Sequence, residues 1–108
     1  MNRADILFRL EQTLGERRGA PPGTSYVASL HHKGIDAVLK KIGEEATETI
    51  LAAKEGDRTH LTRESADLLF HLLVLLGECD IPFEQVLAEL ERREGVSGIA
   101  EKQSRTPT

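Results

Sequence analysis

Gly56-Asp57 stands between two proline-free runs, 35–55 and 58–78, and each run carries apolar residues at helical spacing. In the first these are Ile35, Val38, Ile42, Ala46, Thr49 and Ala53; in the second, Leu61, Leu68, Leu72 and Leu75. Glycine is the usual residue just past a helix C-terminus, and aspartate is a good N-cap for the next helix. So short a connection makes the two helices antiparallel neighbours. The expected fold is therefore all-α, a small helical bundle organised around this central pair.

The pair carries acids at matched positions. Glu48 and Glu64 each lie eight residues from Gly56, and Glu45 and Asp67 each lie eleven. At a rise of about 1.5 Å per residue, each matched pair sits at one level, roughly 12 Å and 16 Å from the turn. Within each helix the spacing is i,i+3, which puts both side chains on one face. Four carboxylates converging between two helices suit a hard divalent cation, Mg²⁺ before Mn²⁺ or Ca²⁺. The plainer alternative is a solvated acidic face interrupted by a turn. Against it, the helical wheels set Glu45 at the edge of the apolar face of its helix and Glu64 about 40° from the centre of the other. Carboxylates crowded beside buried surface lose hydration and repel one another, and a bound cation compensates. Glu45, Glu48, Glu64 and Asp67 are therefore assigned as metal ligands. Glu44 faces further out. It is read either as a catalytic group, taking a proton from the attacking water or binding a second ion, or as a solvated glutamate.

The chain has 108 residues, 30% of them charged and 39% hydrophobic, which suits one globular domain. A net charge of −4 argues against general nucleic-acid binding. The first residues contain no long uncharged run, so no signal peptide is expected, and the apolar run around Leu68–Leu76 is too short to span a bilayer. The lone Cys79 forms no internal disulfide and fits a reducing cytoplasm.

Before the central pair, a short amphipathic helix over Ala4–Leu14 is expected to end at Gly15, with Arg17 and Arg18 exposed in the loop that follows. Thr24 or Ser25 caps a second helix, Tyr26–Lys33, which Gly34 breaks. After the pair, Pro82 opens a last helix that runs to about Glu94 and closes at Gly95; residues 96–108 are a polar, partly flexible tail, frayed from Arg105. The helix over 58–78 is apolar nearly all round from Leu68 to Leu76, and Leu51 falls opposite the core face of its own helix. A small domain has little to cover these surfaces. A homo-oligomer, most simply a twofold dimer, covers them; the alternative is that the short helices wrap the pair within one chain. His71, inside the apolar run, is read as a hydrogen-bonded core histidine and not as a metal ligand.

The acids spell E-E-x-x-E, then fifteen residues, then E-x-x-D. This pattern resembles the signature of the MazG-like all-α nucleoside triphosphate pyrophosphohydrolases. The stretches SYVASLHHKGIDAVLKKIGEEATETILAAKEGD, ESADLLFHLLVLL and VLAELERREGVSGIAEKQSR are similar to phosphoribosyl-ATP pyrophosphohydrolase of histidine biosynthesis, over nearly the whole chain. Phe70 and Pro82 depart from that family's usual residues without touching the acids. The resemblance implies a helical homo-oligomer with a Mg²⁺ site that hydrolyses 1-(5-phosphoribosyl)-ATP to 1-(5-phosphoribosyl)-AMP and pyrophosphate. It also implies a possible association with phosphoribosyl-AMP cyclohydrolase, the enzyme often fused to this unit. A chain of this length has no room for that second domain, so the stand-alone form is expected.

The substrate so implied is highly anionic. Lys41, between Glu45 and Glu48 on the wheel, is the first choice for a phosphate contact, and an i,i+4 ion pair with Glu45 is compatible with that role. Lys33 and Ser29 precede the long helix, whose N-terminus also favours phosphate. Lys102, Ser104 and Arg105 can close over the substrate or remain a solvated tail. Two other functions stay open: hydrolysis of ordinary or damaged nucleoside triphosphates by the same acids, and a non-enzymatic helical scaffold that uses metal only for folding.

Overall fold

The computed structural model describes residues 2–105, and among them all regular structure is helical. The α-helices are α1 (Ile6–Arg18), α2 (Tyr26–Lys33), α3 (Ile35–Glu55), α4 (Arg58–Glu78), α5 (Phe83–Arg93) and α6 (Gly98–Arg105). Short 3₁₀ turns cover Arg3–Asp5 and Pro22–Thr24. The central pair α3 and α4 has the expected bounds. Gly56 takes the left-handed conformation (φ 74°) and its N–H reaches back to α3 carbonyls, while the Asp57 carboxylate accepts from the His60 N–H at 3.0 Å. The α2 cap is Ser25, whose hydroxyl accepts from the Ala28 N–H at 3.0 Å.

Three expectations need correction. Gly15 does not end α1, which continues for another turn to Arg18. A helix-interior glycine costs only about 1 kcal/mol, and the extra turn brings Arg18 to the C-terminus of α4. There its guanidinium donates to the Gly77 carbonyl at 2.6 Å and pairs with Asp80 at 3.1 Å. A cation at a helix C-terminus is favoured by the exposed carbonyls there, so Arg18 is a structural tie and not a loop residue. Second, the inward stripe of α3 is rotated slightly: Val38 is buried as expected, but Ala52 is buried in place of Ala53 and Ile35 is exposed. Third, Leu72 is exposed, and α4 instead buries His71, Leu73 and Val74. A helix apolar all round does not declare its inner face, and contact with α3, α1 and α2 selects it.

The tail contains an element that the sequence reading left out, α6; the fraying expected from Arg105 does not begin there, because Arg105 is helical and paired with Glu101, and positions 106–108 lie outside the described residues. Glu101 anchors α6, 5% exposed, where Arg92 of α5 meets it at 2.6 Å and Arg105 at 3.2 Å. The start of α5 is also tied from elsewhere: Pro82 offers no cap, and the Phe83 N–H donates to the Glu11 carboxylate of α1 at 2.7 Å.

The core draws on five helices: Leu14 from α1, Val27 and Leu30 from α2, Val38 from α3, Leu73 and Val74 from α4, and Phe83 from α5. It is thin. Ile50 is 61% exposed and Leu69 49%, with Leu39, Leu51 and Leu72 also open on the outer faces of the central pair. The accessible surface is 7810 Å², against about 6,000 Å² for a compact monomer of this mass. The radius of gyration is 16.1 Å, against roughly 13 Å for a compact chain of this length.

Candidate metal and substrate site

Packing of α3 against α4 sets the acids in two overlapping groups. Glu45, Glu64 and Asp67 present carboxylate oxygens within 4.8 Å of one another, and Glu48, His60 and Glu64 do the same with oxygens and an imidazole nitrogen. The matched levels thus bring Glu48 to Glu64 and Glu45 to Asp67. The four acids do not converge on one point, however; Glu64 is shared between two sets. Glu45 and Glu64 face inward, their side chains 13% and 14% exposed, whereas Glu48 is at the rim, 49% exposed. Glu45 lies within the inner stripe of α3 and not merely at its edge, because that stripe is rotated toward it.

The electrostatics are those of a site short of positive charge. A hydrogen bond with Glu64 holds the Glu45 carboxyl above the usual carboxylate range, and burial and the Glu64 charge add to this. Two carboxylates brought this close share a proton or a cation. The Glu64 Oε2 atom is buried with no hydrogen-bond partner. A buried carboxylate oxygen without a donor is costly, and a divalent cation ligated by these oxygens would satisfy it. The residues present fit such an ion.

Lys41 spans the outer side of the cluster, with Nζ 3.5 Å from Glu44 and 3.7 Å from Glu45, so the expected i,i+4 pair forms. Glu44 is half-exposed. The Tyr26 phenol, brought by α2, is the first of the influences that raise the Lys41 ammonium above its ordinary value. Burial in turn pushes the Tyr26 hydroxyl up, with Glu45, Glu44 and Asp67 acting the same way and Lys41 opposing. Sequence reasoning passed over Tyr26, because nothing in the local pattern around it signals an acidic cluster on another helix. His60 was passed over too, although its i,i+4 spacing to Glu64 was a usable signal.

His71 is the core histidine expected. It is 5% exposed and sits 2.7 Å from the Asp67 carbonyl through Nδ1 and 2.6 Å from Tyr26 Oη through Nε2. A carbonyl only accepts, so Nδ1 carries the proton and Nε2 accepts from the tyrosine hydroxyl. The other candidate phosphate contacts are more scattered. The Ser29 hydroxyl donates to the Pro22 carbonyl at 2.5 Å, and Lys33 is exposed at the end of α2, just before α3. The Ser104 hydroxyl donates to the Glu101 carbonyl and Arg105 pairs with Glu101, on the same helix as Lys102. That helix is held to α5, which packs near Leu76 of α4, about 18 Å along the axis from Glu64. A separate cavity of about 360 Å³ opens between α1, α2 and the end of α4, lined by Glu11, Arg18, His31, Val74 and Ile81, and includes none of the acids above.

The sequence model described as phosphoribosyl-ATP pyrophosphohydrolase matches residues 7–94. The chain belongs to the phosphoribosyl-ATP pyrophosphohydrolase family. Curated relatives with that kind of name span nearly its whole length. A phosphoribosyl-ATP pyrophosphatase of Novosphingobium aromaticivorans is 58% identical over 106 residues, covering 98% of this chain and 99% of the relative. One of Rhizorhabdus wittichii is 59% identical over 99 residues, covering 92% and 93%. One of Chromobacterium violaceum is 56% identical over 104 residues, covering 96% of each. The match of this phosphoribosyl-ATP pyrophosphohydrolase family chain includes both halves of the acidic signature and the α2 segment that supplies Tyr26.

Proposed function

We propose that this chain is a phosphoribosyl-ATP pyrophosphohydrolase that splits 1-(5-phosphoribosyl)-ATP into 1-(5-phosphoribosyl)-AMP and pyrophosphate, the second step of histidine biosynthesis, with Mg²⁺ as its cation and Mn²⁺ as a substitute. The family membership supports the reaction. The observation that carries the site is the buried, unpartnered Glu64 oxygen within the Glu45–Glu64–Asp67 group.

In this reading Glu45, Glu64 and Asp67 hold the ion, with Glu48 at the rim. When bound, it supplies positive charge against the phosphoanhydride and a more acidic water. Lys41, already placed beside Glu44 and Glu45, donates to the phosphate oxygens on which charge grows as the bond breaks. Glu44, on the solvent side, takes the proton of the attacking water. His71 and Tyr26 brace the backbone at Asp67. Lys33, Ser29, Lys102, Ser104 and Arg105 complete the phosphate contacts; in the described protomer α6 is anchored to α5, so those on it reach the substrate by movement or from another copy.

The working unit is proposed to be a homodimer. The open apolar faces of α3 and α4 support it. So does the excess of accessible surface, on the order of 1,900 Å² per chain, which is the scale of an obligate interface. The chain is read as one domain, residues 1–108, working in the cytoplasm. No described helix is long and apolar enough to cross a membrane. Phosphoribosyl-AMP cyclohydrolase, which consumes the product, is the proposed partner, and co-purification tests it.

The deciding experiment is product analysis with purified protein, Mg²⁺ and phosphoribosyl-ATP, with ATP and dCTP run in parallel. Pyrophosphate and phosphoribosyl-AMP from the first substrate alone, abolished by EDTA, are the expected result. Survival of that substrate with cleavage of another triphosphate would overturn the substrate assignment. No cleavage of any of them would return the acids to a structural role.

A further inference from the structure

Tyr26 offers the site a ring and no free hydroxyl. Its hydroxyl is committed to His71 Nε2 at 2.6 Å, and His71 Nδ1 donates to the Asp67 carbonyl at 2.7 Å. One imidazole therefore separates the phenol from the backbone of a residue in the acidic group. The tyrosine is nonetheless 48% exposed. Phe70 lies nearly parallel to its ring, with centroids 6.3 Å and planes 28° apart, and His71 meets it edge-on at 5.6 Å. With one face backed by Phe70, the exposure falls on the other. Lys41, Glu45, Glu44 and Asp67 all act on the phenol electrostatically, so the open face adjoins the groups assigned to the ion and the phosphates.

We propose that the open face of Tyr26, backed by Phe70, seats the purine of the substrate, and that it favours the N1-ribosylated base of phosphoribosyl-ATP over the base of ATP. This assignment rests on the reading of the acids as the site of phosphoribosyl-ATP hydrolysis, and it adds the side chain that tells the two nucleotides apart. An aromatic plane beside a triphosphate site suits a nucleobase, because stacking needs no hydrogen bond from the ring. Substitution at N1 makes the exocyclic nitrogen of adenine strongly basic. The base of phosphoribosyl-ATP is therefore a cation at neutral pH, whereas that of ATP is neutral. The face of a phenol carries the negative part of the ring quadrupole and attracts a cation placed over it. The carboxylates of Glu44, Glu45 and Asp67 favour the same charge. The bond to His71 fixes the plane of the ring, and Phe70 supports it from behind.

The chain has one tyrosine and no tryptophan, so tyrosine ring signals in ¹H NMR report Tyr26 alone. Phosphoribosyl-AMP, added with Mg²⁺ to the full chain, is expected to move those signals upfield, as a stacked purine does. AMP at the same concentration is expected to move them less. In phosphoribosyl-ATP hydrolysis, Tyr26→Leu is expected to raise KM by about tenfold, the scale of one lost base stack, with a smaller effect on kcat. Tyr26→Phe keeps the ring and loses only the bond to His71, so its KM is expected to stay close to that of the wild type. A tyrosine that only braces Asp67 would give the two variants the same KM. That result would overturn the proposal, as would ring signals unmoved by phosphoribosyl-AMP or moved equally by AMP. Hydrolysis by the wild type with unmoved ring signals removes the stacking role alone. Moved signals without hydrolysis uphold the purine seat and remove the catalytic reading.

Discussion

Glu45 of α3 and Glu64 of α4 meet across the helix pair as two largely buried carboxylates with oxygens within 4.8 Å. Without a cation, one proton between them relieves the repulsion, and Glu45 is the group whose value is raised. Glu64→Gln supplies a hydrogen-bond donor there while removing a charge and a ligand oxygen. The metal-free variant is therefore expected to melt no lower than wild type by circular dichroism. Its melting temperature should no longer rise with Mg²⁺, and turnover should fall by at least about a hundredfold. A variant that loses fold and activity together would instead mark Glu64 as structural.

Tyr26 reaches the site through one bond, from its hydroxyl to His71 Nε2 at 2.6 Å. Tyr26→Phe leaves that nitrogen buried without a donor. Stability in urea should fall by about 1–3 kcal/mol, the cost of stranding a buried polar group. An unchanged midpoint would show that His71 finds another partner.

Glu11 is the cap that α5 lacks locally, accepting from the Phe83 N–H at 2.7 Å. Glu11→Ala should cost about 0.5–2 kcal/mol in the same urea assay. Because α5 abuts no acid of the site, Mg²⁺ affinity by calorimetry should stay as it was.

The clasp between α5 and α6 is acid-sensitive. Arg92 holds Glu89 down to about 2 and also lowers Glu101, against an ordinary glutamate value of 4.5. Carboxylates whose values are lower in the folded state stabilise it above the ordinary value and lose that contribution as pH falls toward the folded one. The helical ¹³Cα shifts of residues 98–105 should therefore fade as pH falls below the ordinary glutamate value of 4.5, through the lowered Glu101 value, ahead of those of α3 and α4. Glu101→Gln should produce the same local loss at neutral pH, and persistence of the α6 shifts in that variant would refute the clasp.

The central hairpin was legible in the chain because its signals are local. Gly56 and Asp57 terminate and restart a helix within two residues, and i,i+3 spacing sets Glu45 with Glu48 and Glu64 with Asp67 on common faces. Counting from the turn even matched the right acids across the pair. The end of α1 was not legible, since Gly15 reads as a stop until Arg18 finds the carbonyl of Gly77 at the far end of α4. Nor was the shift of the α3 stripe that buries Ala52 in place of Ala53 and turns Glu45 inward, or the choice of face on α4 that leaves Leu72 exposed. An all-round apolar helix has no preferred face until its neighbours arrive. Local hydrogen bonding and periodicity, carried by residues a few positions apart, determined the helices and the acidic signature. The second set around His60, the Tyr26–His71 brace and the crowding of Glu45 against Glu64 depend on packing between segments far apart in the chain, and that was decided only in the tertiary structure.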